Sequence, residues 1–126
     1  MMLLDCAPEV LPLVDLTVLS SLEQQLNDAG PAKAFAQDYV IGFGDRFLRL
    51  TSSIGNADLP AALDVALSLR SSSTMVGATR LSALAASFES AVLTADLETA
   101  RRVLPEIERC GLDTIRELES RYLVPA

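Results

Sequence analysis

Four short breaks constrain this chain most, because they divide it into five segments with helical periodicity. They centre on NDAGP (27–31), SIGNAD (53–58), the Gly77–Ala78 pair and TADL (94–97). Each break holds residues that end one helix or cap the next. Connections this short place consecutive helices antiparallel to each other. The breaks therefore predict a helical bundle.

Apolar residues within the segments recur every three or four positions, as expected for helices that bury one face. We expect the second helix to run from Pro31, at its first helical position, to about Ile54. The third runs from Leu59 to about Thr74, and the last ends near Tyr122. The predicted inward residues are Ala36, Tyr39 or Val40, Phe43, Phe47, Leu50 and Ile54, then Leu81, Leu84, Phe88 and Val92, and finally Leu97, Leu104, Ile107, Ile115 and Leu118.

Residues that cap helices stand at the expected starts. Asp15 or Thr17 caps the first helix, Asp58 the third, and Thr94 or Asp96 the last. We expect the first helix to end at the Gly–Pro pair at 30–31. A Pro-containing lead over residues 7–14 precedes that helix.

Four residues weaken the helical pattern. Gly42 and Gly44 each destabilise the second helix by up to ~1 kcal/mol relative to Ala, or instead allow close helix contact. In the last segment, Pro105 either kinks the helix or ends a short preceding one. Gly111 is a further weak point in the same segment.

The fold class follows from this pattern and from the composition. The chain has 126 residues, of which 50% are hydrophobic and only 5% aromatic. Its abundance of Leu and Ala favours packed helices over sheets. We predict an all-α protein with one domain over residues 1–126 and a core spanning roughly 13–122. The architecture is an antiparallel up-down-up-down four-helix bundle with a short additional N-terminal helix.

Charge and cysteine usage exclude several classes of function. The formal net charge is −7, so the surface repels phosphate backbones and we expect neither nucleic acid nor an anionic membrane as partner. No apolar run reaches the ~18 residues of a membrane span. Cys6 and Cys110 lie far apart and match no metal-binding spacing. We therefore expect a reduced, cytoplasmic protein without a bound metal or cofactor.

The third helix carries an unusual stretch, LSLRSSSTMVGA, over residues 67–78. At about 100° per residue, a stripe of small and apolar side chains faces the core, and Leu67 lies about 130° from its centre. The opposite side combines two leucines, an arginine and two hydroxyl residues. We call these residues the Leu67 face: Leu63, Leu67, Arg70, Ser71 and Thr74. The face is either a slightly apolar surface or a docking patch.

This stretch resembles the motif of histidine-containing phosphotransfer domains in two-component phosphorelays. That motif is a histidine, any residue, leucine, lysine, glycine and serine, with a second glycine ten positions after the histidine. Here the leucine is Leu69, the basic residue is Arg70, and the hydroxyl residues are Ser72 and Ser73. The distal glycine is Gly77.

The resemblance extends beyond the motif to roughly residues 13–122. The opening LVDLTVLSSLEQQL is similar to the family's first helix. The segment RLSALAASFESAVLTADLETARRVLPEIE resembles its fourth helix, acidic turn and fifth helix. The resemblance implies a helical bundle that binds a response-regulator receiver domain or a histidine kinase.

One departure from the motif removes the family's chemistry. Leu67 occupies the position of the phosphoaccepting histidine, and the chain contains no histidine. Phosphotransfer needs an imidazole nitrogen to attack the aspartyl phosphate, and a leucine side chain has no lone pair. Ser71 also replaces the glycine that allows close approach. Arg70 keeps a positive charge that suits a phosphate or a carboxylate.

Other routes to catalysis lack a base. The hydroxyl residues at 71–74 are nucleophile types, but no histidine is available to activate them. Lys33 is the only lysine and belongs to the start of another helix. Such residues at a helix end more often pack or cap. We therefore expect no catalytic residue, and the protein is not predicted to be an enzyme.

Three hypotheses for function follow. The first is an adaptor that docks a receiver domain or histidine kinase through the Leu67 face without accepting phosphate. The second is a homo-oligomeric structural module, such as a homodimer, that inherited the fold and pairs its exposed leucines across a two-fold axis. The third is a phosphocarrier that uses an unexpected acceptor, Ser71 or Thr74.

Overall fold

A computed structural model describes residues 11–124, and within that range the chain forms five α-helices. Their bounds are α1 Leu16–Leu26, α2 Ala29–Gly55, α3 Leu59–Val76, α4 Thr79–Leu93 and α5 Leu97–Arg121. Helices α2 to α5 form the predicted up-down-up-down bundle, and α1 is the short additional N-terminal helix. The predicted fold class is confirmed.

Packing places the helices in a ring. Helix α3 packs against α2 and α4, and α5 packs against α4 and α2, so α3 and α5 are diagonally opposite. Helix α1 packs against α2 and α3. Helix α3 therefore contacts α1, α2 and α4, and its remaining side faces outward.

The core consists of the faces that the helical spacing predicted. Tyr39, rather than Val40, is the buried alternative in α2. In α4, the predicted stripe of Leu81, Leu84, Phe88 and Val92 is entirely buried. In α5, Ile107 and Leu118 are fully buried. The remaining predicted inward residues pack at the core margin with partial exposure: Val40, Phe47, Leu97, Leu104 and Ile115.

The connection between α1 and α2 differs from the prediction. Helix α1 ends at Leu26, where Asn27 adopts a left-handed conformation with φ 53°, and α2 begins at Ala29. Gly30 and Pro31 therefore lie inside the first turn of α2 instead of ending α1. Asp28, whose carboxylate accepts from the Gly30 N–H at 3.0 Å, is the N-cap.

All four connections share one backbone pattern, a residue in the left-handed region followed by an N-cap residue. The left-handed residues are Asn27, Ala57, Gly77 and Ala95, with φ between 53° and 80°. Two of them are alanines, for which the left-handed region is sterically less favourable than for glycine. The pattern turns the chain back within two or three residues and makes consecutive helices antiparallel.

Aspartates cap four of the five helices. Of the alternatives that the sequence left open, Asp15 caps α1 by accepting from the Thr17 N–H at 3.0 Å, and Asp96 caps α5 by accepting from the Thr99 N–H at 3.2 Å. Asp58 caps α3 as predicted. These four aspartates are among the 17 acidic residues of the chain, and their negative charge is favourable at the helix N-termini.

The glycines contribute differently from the prediction. A methyl group at Gly44 would meet no described atom within 4 Å, and one at Gly42 would meet only the end of the Arg46 side chain. The suggestion that these two glycines allow close helix contact is therefore wrong. Close approach occurs instead at Gly111, where a Cβ would lie 2.0 Å from the Phe43 ring.

The last helix continues through Pro105 from Leu97 to Arg121. The alternative in which a short preceding helix ends at Pro105 is therefore wrong. Among the described helices, none is both long and apolar enough to cross a membrane. The first four residues of the lead at 7–14, together with Cys6, lie outside the described residues.

Candidate docking surface

The outward side of α3 carries the Leu67 face. On the inward side, the predicted core stripe is fully buried: Ala62, Ala66, Leu69, Ser73 and Val76. Leu67 is 43% exposed, on the side of the helix that periodicity predicted. Ser71 and Thr74 are exposed as well.

Leu63 differs from the other members of the face. Its side chain is half-buried and packs against the core. It lies one turn before Leu67, on the same side of α3. The exposed apolar element of the face is therefore Leu67, with Leu63 supporting it at one edge.

Arg70 is tied to the neighbouring helix. Its Nε lies 2.8 Å from Oε1 of Glu89 in α4. The Arg70 side chain is 41% exposed, but that of Glu89 only 18%. The retained basic residue of the motif therefore has a partly buried carboxylate beside it.

Hydroxyl groups near Arg70 satisfy backbone carbonyls. Thr74 Oγ1 donates to the Arg70 carbonyl at 2.9 Å and lies 2.7 Å from the Ser82 hydroxyl in α4. Ser72 Oγ donates to the Ser68 carbonyl at 2.8 Å. Such bonds satisfy the hydroxyl groups of serine and threonine within a helix, so the hydroxyls of Ser72 and Thr74 have partners without a break in α3.

Ser73 belongs to the interior. Its hydroxyl is fully buried and hydrogen-bonds the Tyr39 hydroxyl of α2 at 2.7 Å. Burial raises the pKa of Tyr39 well above its usual value, so the phenol stays neutral. The second motif hydroxyl thus joins α3 to α2. Leu69 is fully buried as well, so both side chains contribute to the packing of α3 in the bundle.

Gly77 lets the start of α1 approach the α3–α4 turn. Its φ is 80°, and a Cβ there would lie 2.2 Å from the Asp15 carbonyl oxygen. The Asp15 N–H donates to the Gly77 carbonyl at 2.7 Å. The distal glycine of the motif is therefore needed for chain packing.

Two open clefts adjoin the face. One, of about 410 Å³, lies between the end of α3 and α4, and Arg70, Thr74 and Ser82 contribute to its wall. The other, of about 400 Å³, lies between α1 and α3, where Val18 and Leu22 meet Met75, itself 52% exposed. Apolar side chains of α1 and α3 therefore line this second cleft.

The face offers little chemistry. Among residues 11–124, no group of three or more His, Cys, Asp and Glu side chains is placed to hold a metal ion. Cys110 is buried in α5, and burial raises the pKa of its thiol. Thr74, one of the two alternative phosphoacceptors, already donates its proton to a carbonyl. Among the described residues, no hydroxyl group of the Leu67 face is hydrogen-bonded to a basic side chain.

The chain matches no protein-family model and no curated protein sequence. Among solved structures, it is similar to histidine-containing phosphotransfer protein B from Pseudomonas aeruginosa PAO1. The TM-score is 0.77 at 21% sequence identity, over 88% of this chain and 97% of that chain. The chain has the fold of a histidine-containing phosphotransfer protein.

Three neighbours of the face were not found from the sequence. Glu89 and Ser82 come from α4, and Met75 lies beside the α1–α3 cleft. The positions of Glu89 and Ser82 opposite α3 depend on the register between two helices, which spacing within one helix does not give. Met75 was within reach, since it lies four residues after Ser71 and is therefore its neighbour on the surface of α3.

Proposed function

We propose that this protein is a non-catalytic member of the phosphorelay machinery. It binds a response-regulator receiver domain or a histidine kinase in the cytoplasm and does not accept phosphate. One combination supports the proposal: the chain has the fold of a phosphotransfer protein and contains no histidine. Leu67, which the motif resemblance assigns to the position of the phosphoaccepting histidine, is 43% exposed.

The leucine removes the reaction while leaving the surface in place. No histidine exists elsewhere in the sequence to take over the role. An exposed leucine with a half-buried one beside it gives an apolar centre, and the polar side chains of Arg70, Ser71 and Thr74 surround it. A small apolar centre with a polar rim is the usual anatomy of a protein interface.

Self-association is the second candidate, and one observation favours it. Ile41 and Leu48 are 71% and 67% exposed on the outer side of α2, one heptad apart. Two such helices could pair across a two-fold axis through these side chains. Analytical ultracentrifugation separates this candidate from the first. Self-association through α2 predicts a dimer that the double variant Ile41→Asp with Leu48→Asp dissociates. The variant Leu67→Asp should leave that dimer intact.

The test of the main proposal is binding without transfer. Purified receiver domains and kinase dimerisation domains are titrated against the wild-type chain and against Leu67→Asp, with Leu112→Asp as a matched control. Leu112 is exposed to a similar degree, 46%, but lies on the diagonally opposite helix α5. Binding that Leu67→Asp abolishes and Leu112→Asp preserves supports the proposal, whereas equal loss in both variants contradicts it.

A further inference from the structure

An ion pair between Arg70 and Glu89 lies beside Leu67. Arg70 follows Leu67 by three residues, so the two side chains are neighbours on the surface of α3. The guanidinium lies 2.8 Å from the Glu89 carboxylate, which α4 holds with only 18% of its side chain exposed. The cation nearest to Leu67 is therefore already balanced by a fixed negative charge.

A phosphoryl group has little to gain at this position. It carries roughly −1.5 to −2 charges and needs several charge-assisted hydrogen bonds to replace its water. Leu67 offers no donor, and Glu89 offsets the attraction that Arg70 exerts on an incoming anion. Leu67 also lies in the middle of Leu59–Val76, beyond the first turn where a helix N-terminus attracts negative charge.

An unphosphorylated receiver domain meets fewer obstacles when it binds to the Leu67 face. Its apolar side chains can cover Leu67, and its polar groups can reach Ser71 and the exposed part of Arg70. Adding a phosphoryl group would place extra charge against a leucine, where dehydration is unfavourable without compensating bonds. The difference in binding free energy between the phosphorylated and unphosphorylated receiver therefore arises at the centre of the Leu67 face.

We propose that the Leu67 face binds the unphosphorylated form of its receiver domain in preference to the phosphorylated form. This inference rests on the proposed function and adds the state of the partner that is recognised. A protein with this preference holds the resting receiver and releases it when the receiver is phosphorylated.

The test compares one receiver domain in two states, with Mg²⁺ alone and with Mg²⁺ plus beryllofluoride, which mimics the aspartyl phosphate. We expect the Kd of the wild-type chain to be at least about fivefold weaker for the beryllofluoride form, the lower end of typical coupling between two binding events. Glu89→Gln removes the fixed negative charge and should bring the ratio of the two Kd values, for the beryllofluoride form and the Mg²⁺ form, closer to one.

Glu117→Gln is the matched control for Glu89→Gln. Glu117 is also paired with an arginine, since its Oε2 lies 2.7 Å from Arg121 Nη1, but it lies in α5, across the bundle from α3. This variant should keep the wild-type ratio. The wild-type ratio alone decides the inference if either variant fails to fold, as judged by circular dichroism.

The outcomes distinguish the inference from the proposed function. Equal or tighter binding of the beryllofluoride form overturns the inference while leaving the adaptor role intact. A wild-type preference that Glu89→Gln leaves unchanged overturns the assigned cause. If neither form binds in a panel of purified receivers, the inference and the receiver-binding role both fail.

Discussion

Truncation of two neighbouring leucines in α3 separates docking from packing. Leu67 and Leu69 are two residues apart in the same helix, yet Leu67 is 43% exposed and Leu69 is fully buried. Leu67→Ala and Leu69→Ala remove the same atoms from the same element. Helix propensity changes equally in both variants, so a difference in unfolding free energy reports burial alone.

The expected magnitudes follow from these exposures. Fully burying a leucine contributes ~1.5–3 kcal/mol, and Leu67 is only a little more than half covered. Its truncation opens no internal cavity, so we expect a loss of about 1 kcal/mol or less. This is somewhat above the ~0.5 kcal/mol expected for a fully exposed surface residue. Leu69→Ala leaves a cavity in the core and should cost about 2–5 kcal/mol.

Urea titration followed by circular dichroism measures both changes, with the slope of the transition confirming that the unfolded states are comparable. A loss at Leu67 that equals the loss at Leu69 would refute the argument, because it would mean that Leu67 is part of the core. A small loss at Leu67 together with weaker partner binding, by more than ~1 kcal/mol, is the result expected of an interface residue.

Three further predictions test other parts of the structure. Ala57→Gly and Ala95→Gly should each stabilise the fold by about 0.5–1 kcal/mol, because both alanines have positive φ. As a control, Ala34→Gly at an exposed helical position in α2 should destabilise the fold by about 1 kcal/mol in the same urea titration. Hydrogen bonds from Thr17 and Thr99 lower the pKa values of Asp15 and Asp96 below their usual value. The two aspartates therefore contribute fully to stability above about pH 4, and this contribution is lost as the pH falls through their pKa values in the folded state. Thermal melts from pH 7 to 2.5 should show this decline, and a steeper decline in Asp15→Asn with Asp96→Asn would contradict it. Leu67→His with Ser71→Gly should accept some phosphate from a receiver that binds the wild-type chain, as measured by radiolabel transfer, and no transfer despite retained binding would show that the surrounding surface has diverged too.

Periodicity alone located the helices and most of the core. It worked because each helix buries one continuous stripe, so that residues such as Leu81 and Phe88 repeat at fixed intervals. It failed at the end of α1, where Asn27 adopts the left-handed conformation before the more conspicuous Gly–Pro pair is reached. Asparagine is the non-glycine residue that tolerates this region best, and that signal was present in the sequence.

Relations between helices were harder to predict. The contact of Gly111 with Phe43, and that of Arg70 with Glu89, each join residues on two different helices. Their approach depends on the axial register and crossing angle of the helix pair, which follow from the packing of many side chains at once. The Leu67 face could therefore be placed on one helix from the sequence, but its electrostatic surroundings could not.

The central claim, that this chain docks phosphorelay partners without accepting phosphate, has one direct test. The wild-type chain is incubated with receiver domains that carry a radiolabelled aspartyl phosphate, and complex formation and label transfer are measured on the same samples. The account predicts a complex with at least one receiver and no acid-labile label on this chain. Acid-labile label would contradict it outright, and acid-stable label on Ser71 would show that a hydroxyl group has taken over the role of the histidine.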